Sequence, residues 1–298
     1  MLISKLGDGN MNRNASPLLF VFVAALLWST GGLFIKLTGL NAFELTFWRS
    51  LLAALTVILF TRREGFGLNR ITALASILYA ALLLLFVLAT KLTTAANAIF
   101  LQYTAPVYVL LLEPMFYKER FRLKDLLVIV VCVSGMSLFF VGKLRPQDVS
   151  GNFAALASGL CFAFYFLLLR HPQARVVNRA SSVIYGNLLL VLICAPFGLK
   201  TAGALSGQDT LILLYLGIVQ IGLAYTLFTL GMARGARSLD AGIVGYIEPV
   251  LNPLWVYIFL GERPSGWALV GGTTIILAVA AHTLYGAREK TRARGQTV

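Results

Sequence analysis

Charged side chains are scarce in this sequence. They make up 12% of its 298 residues, and only 12 of them are acidic, whereas about a quarter of a soluble domain is charged. Hydrophobic residues reach 58%, and the mean hydropathy is +0.82. This composition excludes a soluble globular protein. The apolar runs are continuous rather than alternating, which excludes a transmembrane β-barrel and favours a bundle of membrane-spanning helices.

Cysteine and histidine are scarce as well. The three cysteines, Cys132, Cys161 and Cys194, lie inside apolar runs, where they are interpreted as small core residues rather than disulfide partners or metal ligands. The two histidines, His171 and His282, are far apart in sequence. The chain also lacks the G-x-x-x-x-G-K-[ST] loop of an ATP-driven pump and a nucleophile–base arrangement. We therefore expect no enzyme, no cofactor and no metal.

What the sequence does contain is long apolar segments joined by short connections. A membrane-spanning helix needs about 20 apolar residues, and a chain of this length holds roughly ten such helices. We number the segments 1 to 10 and predict a spanning helix in each: Pro17–Leu37, Ala42–Phe60, Ile71–Thr90, Thr94–Tyr117, Leu123–Val141, Gly151–Leu169, Ser181–Phe197, Thr210–Met232, Leu239–Leu260 and Ser265–Tyr285.

The basic residues are distributed unevenly between the two sides of this predicted bundle. Of 25 Lys and Arg residues, 18 fall on the side of the N-terminus, six fall on the opposite side, and Arg49 lies inside segment 2. Cytoplasmic loops of membrane proteins are enriched in Lys and Arg. We therefore expect a multi-pass protein of the cell (inner) membrane with both termini in the cytoplasm. The same bias accounts for the net charge of +13 without a nucleic-acid partner.

Two stretches of the chain, residues 98–120 and 241–263, resemble each other. They read AIFLQYTAPVYVLLLEPMFYKER and AGIVGYIEPVLNPLWVYIFLGER. A proline inside a helix removes one backbone hydrogen bond and bends the helix, so we predict kinks at Pro106 and Pro249. Aligned without a gap, the stretches are identical at Ala98/Ala241, Tyr103/Tyr246, Pro106/Pro249, Val107/Val250, Leu111/Leu254, Phe116/Phe259, Glu119/Glu262 and Arg120/Arg263.

The matching stretches fall in segments 4 and 9, which are five segments apart. Because five is odd, the two stretches would cross the membrane in opposite directions, as in an inverted-topology repeat. The predicted fold is an all-α membrane protein with two inverted five-helix repeats around a central cavity. We expect a cytoplasmic tail at residues 1–16, a first repeat at 17–142, a connecting loop at 143–150, a second repeat at 151–285 and a basic cytoplasmic tail at 286–298.

Several motifs are typical of one family of membrane proteins: Tyr246-Ile247-Glu248-Pro249 with Gly261-Glu262-Arg263-Pro264, Pro106 with Glu119-Arg120, Ala25-Leu26-Leu27-Trp28-Ser29, and Arg49-Ser50-Leu51-Leu52-Ala53-Ala54. On these residues the chain resembles the drug/metabolite transporter superfamily, in its ten-span EamA-type branch. The resemblance implies a cavity lined mainly by segments 1, 3, 4, 6, 8 and 9, with segments 5 and 10 at the periphery. Members of the superfamily carry amino acids, other metabolites, drugs, nucleotide sugars or sugar phosphates. Export of amino acids across the bacterial inner membrane is common in this branch.

Glu248 is the first candidate for a functional acid. It lies near the middle of segment 9, where an ionised and unpaired carboxylate is costly. On a helix it shares a small, polar face with Ala241, Gly245 and Asn252. One interpretation is a site for a substrate amine or a proton. The other is a structural carboxylate that bonds the backbone at the kink, Trp28 or a tyrosine.

Three further charged residues are candidates for coupling or gating. Glu113, near the end of segment 4, either gates or pairs with a loop arginine, or else it extends to the membrane surface. Glu44 is expected at the outer interface. Arg49 lies deep enough in segment 2 to need a partner, for which Glu44 or a backbone carbonyl would serve. We favour a structural role for Arg49, although an arginine that binds an anion would look the same in the sequence.

Aromatic and amide side chains near the middle of the segments are candidates for the cavity wall, because ligand cavities combine apolar walls with a few polar groups. Ordinary packing is the alternative for at least half of the aromatic residues. With the polar residues above, the candidates are Trp28, Tyr79, Asn97, Gln102, Tyr103, Phe162, Tyr165, Gln220, Tyr225, Tyr246, Glu248 and Asn252.

The leading functional hypothesis is a secondary transporter that exports amino acids or related small metabolites by alternating access. Proton antiport is one mode, with Glu248 as the coupling acid. Other hypotheses are an uncoupled facilitator or exchanger of metabolites or drug-like cations and, in another class, an intramembrane enzyme or lipid-handling protein. The expected partners are a small-molecule substrate, membrane lipid and, under antiport, protons. We expect a monomer.

Overall fold

The computed structural model describes residues 16–93, 95–118, 122–138, 149–260 and 266–295, and these residues form helices and turns without a strand. The helices are α1 (Pro17–Trp28), α2 (Gly31–Leu37), α3 (Ala42–Thr61), α4 (Arg70–Leu92), α5 (Ala95–Gln102), α6 (Ala105–Tyr117), α7 (Leu123–Leu138), α8 (Val149–Arg170), α9 (Ser181–Gly198), α10 (Gly207–Leu214), α11 (Ala224–Ala233), α12 (Ser238–Gly245), α13 (Ile247–Leu260) and α14 (Gly266–Gly295). A π-helical segment, Tyr215–Leu223, joins α10 to α11.

Within the described residues, eight stretches are long and apolar enough to cross a membrane: Pro17–Leu37, Ala42–Glu64, Arg70–Leu92, Ala98–Tyr117, Val149–Arg170, Ser181–Thr201, Gly207–Ala233 and Ser238–Phe259. They correspond to segments 1 to 4 and 6 to 9, so the chain is a multi-pass membrane protein. In segment 5, α7 has 16 residues, and the apolar part of α14 in segment 10 is Leu269–His282. Spanning by these two helices stays a prediction.

Capping residues explain where several helices begin. Asn41 accepts hydrogen bonds from the backbone of Phe43 and Glu44, and the Glu44 carboxylate accepts one from the Asn41 backbone. This reciprocal capping starts α3 and occupies Glu44 away from the bundle interior. Asn69 caps α4 in the same way together with Thr72, so the helix begins at Arg70. At the C-terminal end, α14 continues to Gly295, into the range predicted as a basic tail.

Two helices end shortly before the prolines at which we predicted kinks. Helix α5 ends at Gln102 and helix α12 ends at Gly245, each four residues before a proline, Pro106 or Pro249. A proline cannot donate to the carbonyl four residues earlier, and its ring collides with that carbonyl. The helix therefore ends there, and the proline lies in the first turn of the next helix, where it is tolerated.

Segment 1 is also interrupted, between Trp28 and Gly31, although no proline marks that point. The broken end is held by segment 9: Asn252 donates to the Ser29 carbonyl at 3.3 Å, and Trp255 donates to the Ser29 hydroxyl at 2.7 Å. The Asn252 side chain thus satisfies a backbone carbonyl at the break, as breaks inside a membrane require.

The segments form one bundle with a recurring pattern of contacts. Segment 3 packs on segment 6, and segment 8 packs on segment 1; segment 2 packs on segment 8, and segment 7 packs on segment 3. Segments 2 and 7, 4 and 9, and 5 and 10 also pack on each other. Large apolar side chains on the outer faces, such as Leu55, Leu192 and Leu211, are exposed, as expected of surfaces that meet lipid.

Candidate functional site

A small cavity lies in the middle of the bundle and receives side chains from segments 1, 2, 3, 4, 6, 8 and 9. Segment 2 was not among those expected to line it. Its walls are Trp28, Arg49, Leu82, Leu83, Phe86, Gln102, Phe162, Gln220, Ile221, Tyr225 and Glu248. A second, fully apolar cavity adjoins it, and Trp28 and Phe162 line both. These two rings, with centroids 6.0 Å apart, form the partition between the cavities.

Glu248 reaches the cavity from the first turn of α13, where the helix dipole favours negative charge. It is 6% exposed, and its Oε2 atom accepts a hydrogen bond of 2.5 Å from the hydroxyl of Tyr103. Tyr103 lies at the break between α5 and α6, so the two interrupted helices meet through this bond. Of the interpretations offered for Glu248, bonding to a tyrosine is correct, and the same carboxyl group lines the cavity.

Arg49 has an environment unlike the one expected for it. Its side chain is buried at 1% exposure in the middle of α3, and neither Nε nor Nη2 has a hydrogen-bond partner. The expected partner, Glu44, caps α3 instead. The reason is positional: Glu44 belongs to the first turn of the helix, where its carboxylate reaches back to the Asn41 backbone N–H. Arg49 therefore brings a guanidinium group with unused donors to the cavity wall.

Two more polar atoms in this wall have no hydrogen-bond partner among the described residues. They are the indole Nε1 of Trp28 and the Oε1 of Gln220. Gln220 belongs to the π-helical segment and lies directly over Gly31, where a Cβ atom would come within 2.6 Å of its Nε2. Gln102, in contrast, is fixed by a 2.7 Å bond to Ser158, which in turn donates to the Leu82 carbonyl. Unsatisfied buried polar groups are rare in proteins, so their concentration here indicates a site for a polar ligand.

Tyrosines predicted for the wall are divided between the wall and a layer behind it. Tyr225 lines the cavity, with its ring 4.6 Å from that of Trp28. Tyr79 packs behind Tyr225, accepts a bond from Asn187, and is followed by Tyr165, which bonds Ser182. This layer supports the wall by packing and hydrogen bonding.

The predicted residues therefore have different positions. Trp28, Gln102, Phe162, Gln220, Tyr225, Glu248 and Arg49 line the polar cavity, and Tyr103 lines the apolar one. Tyr79, Tyr165, Tyr246 and Asn252 are buried outside both cavities. The side chain of Asn97 and the two Glu-Arg pairs, Glu119-Arg120 and Glu262-Arg263, lie outside the described residues. Sequence reasoning missed Leu82, Leu83, Phe86 and Ile221, because their apolar side chains follow the same pattern as ordinary core residues.

One end of the bundle is closed by an ionic cluster, whose members are Glu113, Asp125, Arg170, Arg237, Asp240 and His282. Glu113 accepts from Arg170 at 2.7 Å and from Arg237 at 3.2 Å, and Arg237 also donates to Asp125 at 2.9 Å. Glu113 is 1% exposed, so the alternative in which it extends to the membrane surface is wrong. Burial lowers the pKa of Arg237, but Glu113 and Asp125 outweigh this effect and raise it overall.

The other end is closed by polar contacts to backbone carbonyls. Lys36 donates to the Thr93 carbonyl at 2.8 Å, and Lys91 donates to the Thr38 carbonyl at 3.0 Å. The Thr38 hydroxyl donates to Asp209 at 2.6 Å. These contacts join segments 1, 3 and 8. None of the residues in these two sets of contacts lines either cavity.

Comparison with known proteins agrees with this architecture. The model of the EamA-like transporter family matches residues 15–141 and again residues 149–284. An uncharacterized transporter of Archaeoglobus fulgidus is 27% identical over 87% of this chain and 93% of its own length. The threonine/homoserine exporter of Salmonella typhimurium is 29% identical over 69% of this chain and 68% of its own. A crystal structure with 23% identity superposes with a TM-score of 0.77 over 91% of this chain and 98% of that one, which shows a shared fold.

Proposed function

Because this chain belongs to the EamA-like transporter family, a family of membrane transporters, we propose that it is a secondary exporter of small metabolites, amino acids or related compounds, and that it works by alternating access. The observation that carries the proposal is the buried cavity with a carboxyl group, Glu248, at an interrupted helix. Interrupted membrane helices at equivalent places in two halves are typical of transporter binding sites.

The proposed mechanism needs two halves that move against each other. We propose that segments 1–5 and 6–10 are inverted five-helix repeats, with both termini in the cytoplasm. The packing supports this: adding five to each segment number converts the contact of segments 3 and 6 into that of 8 and 1, and the contact of 2 and 8 into that of 7 and 3. The breaks before Pro106 and Pro249 correspond in the same way.

Alternating access also needs a closure on each side of the cavity. The ionic cluster supplies one closure, and the contacts of Lys36, Lys91 and Asp209 supply the other. Both closures consist of polar contacts between segments, which water can replace when one end opens. The proposed cycle breaks them in turn and exposes the cavity first to one side and then to the other.

We propose Glu248 as the acid that couples export to proton entry. Its carboxyl group lies in the cavity that the substrate would occupy, and its neutral form is far less costly in a buried site than its ionised form. The Tyr103 hydroxyl offers a fixed hydrogen bond to this group. The relative that exports threonine and homoserine supports amino acids as the first substrates to test.

The test is counterflow in proteoliposomes that contain the purified protein and an isotopically labelled mixture of amino acids, with and without an imposed pH gradient. Exchange of a subset of amino acids, with accumulation that depends on the gradient, is the expected result. Exchange that ignores the gradient would instead support an uncoupled facilitator. Failure of a folded preparation to exchange any amino acid or related amine would contradict the proposed function.

A further inference from the structure

The cavity wall contains one acidic and one basic side chain, and the basic one has buried donors without an acceptor among the described residues. Glu248 is bonded to Tyr103, whereas the Nε and Nη2 atoms of Arg49 are buried without a hydrogen-bond acceptor. An arginine with unused donors is not explained by packing alone, because burying a charge without a partner is strongly unfavourable. The ionic cluster shows the usual solution in this same chain, since Arg237 there is matched by carboxylates.

We propose that Arg49 binds the carboxylate of the transported molecule, and that the substrate is therefore a small zwitterion with an amine directed to Glu248. The inference rests on the proposed function and specifies its substrate. The planar guanidinium group donates in a fork that matches a carboxylate. Arg49 and Glu248 come from segments 2 and 9 and line the same cavity.

Charge balance distinguishes this substrate from the alternatives. A zwitterion supplies one negative and one positive group, so both Arg49 and Glu248 gain a partner and the occupied cavity stays neutral overall. An amine or drug-like cation would leave the guanidinium group buried without a counter-charge. A simple anion would leave an ionised Glu248 carboxylate buried without a counter-charge.

The remaining wall fits the rest of a small amino acid. Leu82, Leu83 and Phe86 offer an apolar surface for an aliphatic side chain. The Nε1 of Trp28 and the Oε1 of Gln220 are an unused donor and an unused acceptor, so they suit a hydroxyl or amide on that side chain. In this conformation the cavity has room for only a few water molecules, so it must widen before an amino acid can enter.

The backbone holds Arg49 in place. Gly217 of the π-helical segment lies so close to α3 that a Cβ atom there would be 3.0 Å from the Arg49 carbonyl and 2.4 Å from the Cβ of Leu52. This close approach fixes the part of α3 from which the guanidinium group extends. The backbone that carries Arg49 is thus fixed before the substrate enters, which reduces the entropy lost on binding.

The test compares matched substrates in proteoliposomes that contain the full chain. One set holds labelled amino acids, the second holds their decarboxylated amines, and the third holds their N-acetyl derivatives. We expect exchange of the amino acids, and exchange of the other two sets that is slower by about tenfold or more.

The variant Arg49→Gln tests the same contact from the protein side. Hydrogen bonds to charged groups change affinity by roughly ten- to a hundredfold. We therefore expect Arg49→Gln to raise the KM for amino acids by that factor, while amines are exchanged at least as well as before.

Two further variants make the test specific. Arg49→Lys keeps the charge but loses the fork, so its KM for amino acids should lie between those of the parent and of Arg49→Gln. Ser50→Ala removes a neighbouring buried hydroxyl that has no partner and lies outside the cavity wall, so it should leave the KM unchanged. Thermal unfolding in detergent checks that each variant is folded.

The outcomes distinguish the role of Arg49 from the proposed transport function. Exchange of amines as fast as of amino acids, or an unchanged KM in folded Arg49→Gln and Arg49→Lys, would overturn the role of Arg49 while transport itself stands. Absence of exchange for all three sets would overturn the proposed function as well.

Discussion

Tyr103 and Tyr246 occupy equivalent positions in the two matching stretches, and their rings lie 5.9 Å apart. Each lies at the break of its own helix. Their hydroxyl groups nevertheless differ, because Tyr103 donates to Glu248 and Tyr246 has no partner. The position equivalent to Glu248 in the first stretch is Ala105. The helices of the two stretches are thus interrupted at matching residues, whereas the chemistry at those residues differs.

The different hydrogen bonding of Tyr103 and Tyr246 provides a matched pair of variants. Tyr103→Phe removes the hydrogen bond to Glu248, and a bond to a charged or polarised acid contributes about 1.5–3 kcal/mol. We expect the initial rate of counterflow to fall by about ten- to a hundredfold. Tyr246→Phe removes a hydroxyl without a partner and should change the rate by less than about twofold. Equal losses in the two variants would show that the Tyr103 bond has no role in transport.

Replacement of Glu248 tests the coupling. Glu248→Gln keeps the size of the side chain and cannot carry a proton, so accumulation driven by a pH gradient should disappear while the protein still inserts and folds. Glu44→Gln is the control, because glutamine can also cap a helix N-terminus and Glu44 does so at the start of α3. Accumulation that still follows the gradient in Glu248→Gln would remove the proposed proton role.

The ionic cluster should matter for stability. Glu113 and Asp125 are 1% and 0% exposed, and Arg237→Gln removes a positive charge that both of them contact. Removing one partner of a buried ion pair costs about 3–5 kcal/mol of stability. We expect a loss near the lower figure, because Arg170 still contacts Glu113. The exposed Arg62 supplies the control Arg62→Gln, which should lose less than about 0.5 kcal/mol. Chemical unfolding in detergent measures both.

The pH dependence of Arg237 follows from its surroundings. Burial lowers its pKa, but Glu113 and Asp125 raise the pKa above its ordinary value. A basic group with a raised pKa in the folded state stabilises the protein at every pH below its unfolded pKa, and this contribution is lost only as the pH rises through the folded pKa. The stability lost in Arg237→Gln should therefore not decline between about pH 7 and pH 9. A decline across this interval, seen in the same unfolding measurements, would contradict the assignment.

Close packing of segments 2 and 8 can be tested with an added methyl group. Gly217→Ala places a Cβ 2.4 Å from the Cβ of Leu52. Both atoms are attached directly to helix backbone, so the contact can be relieved only by moving a helix. Overpacking of this kind costs about 1–3 kcal/mol, and the displaced α3 should weaken transport through Arg49. Gly39→Ala, where nothing lies within 4 Å of the added atom, should have neither effect. Melting temperature and KM distinguish the two variants.

Much of the helical layout was predictable because membrane helices must be apolar and about 20 residues long. The break positions were less predictable. The prolines indicated two bends, but the interruption falls at the residue whose carbonyl the proline ring displaces, and in segment 1 no proline marks the break. The π-helical segment around Gln220 also has no sequence signal, since its composition suits an ordinary helix.

The site was predictable only in part. Glu248, Trp28 and Gln102 stand out as polar or aromatic residues in apolar helices, and the structure places them in one cavity. The missing partner of Arg49 could not be inferred, because it depends on Glu44 turning back to cap its own helix. Tyr79 and Tyr165 carry the same sequence signal as Tyr225 and differ from it only by packing one layer further out.

The partition formed by Trp28 and Phe162 has a consequence for selectivity. Trp28 and Phe162 are the residues common to the linings of the two small cavities, so we expect rotation of one of these rings to join the cavities. For the proposed transporter we expect the size of the largest cargo to depend on how easily the Trp28 indole turns within its aromatic neighbours, Tyr225 and Phe228. Selection by size would then follow from side-chain motion, and relatives that share the same backbone would be expected to differ in it.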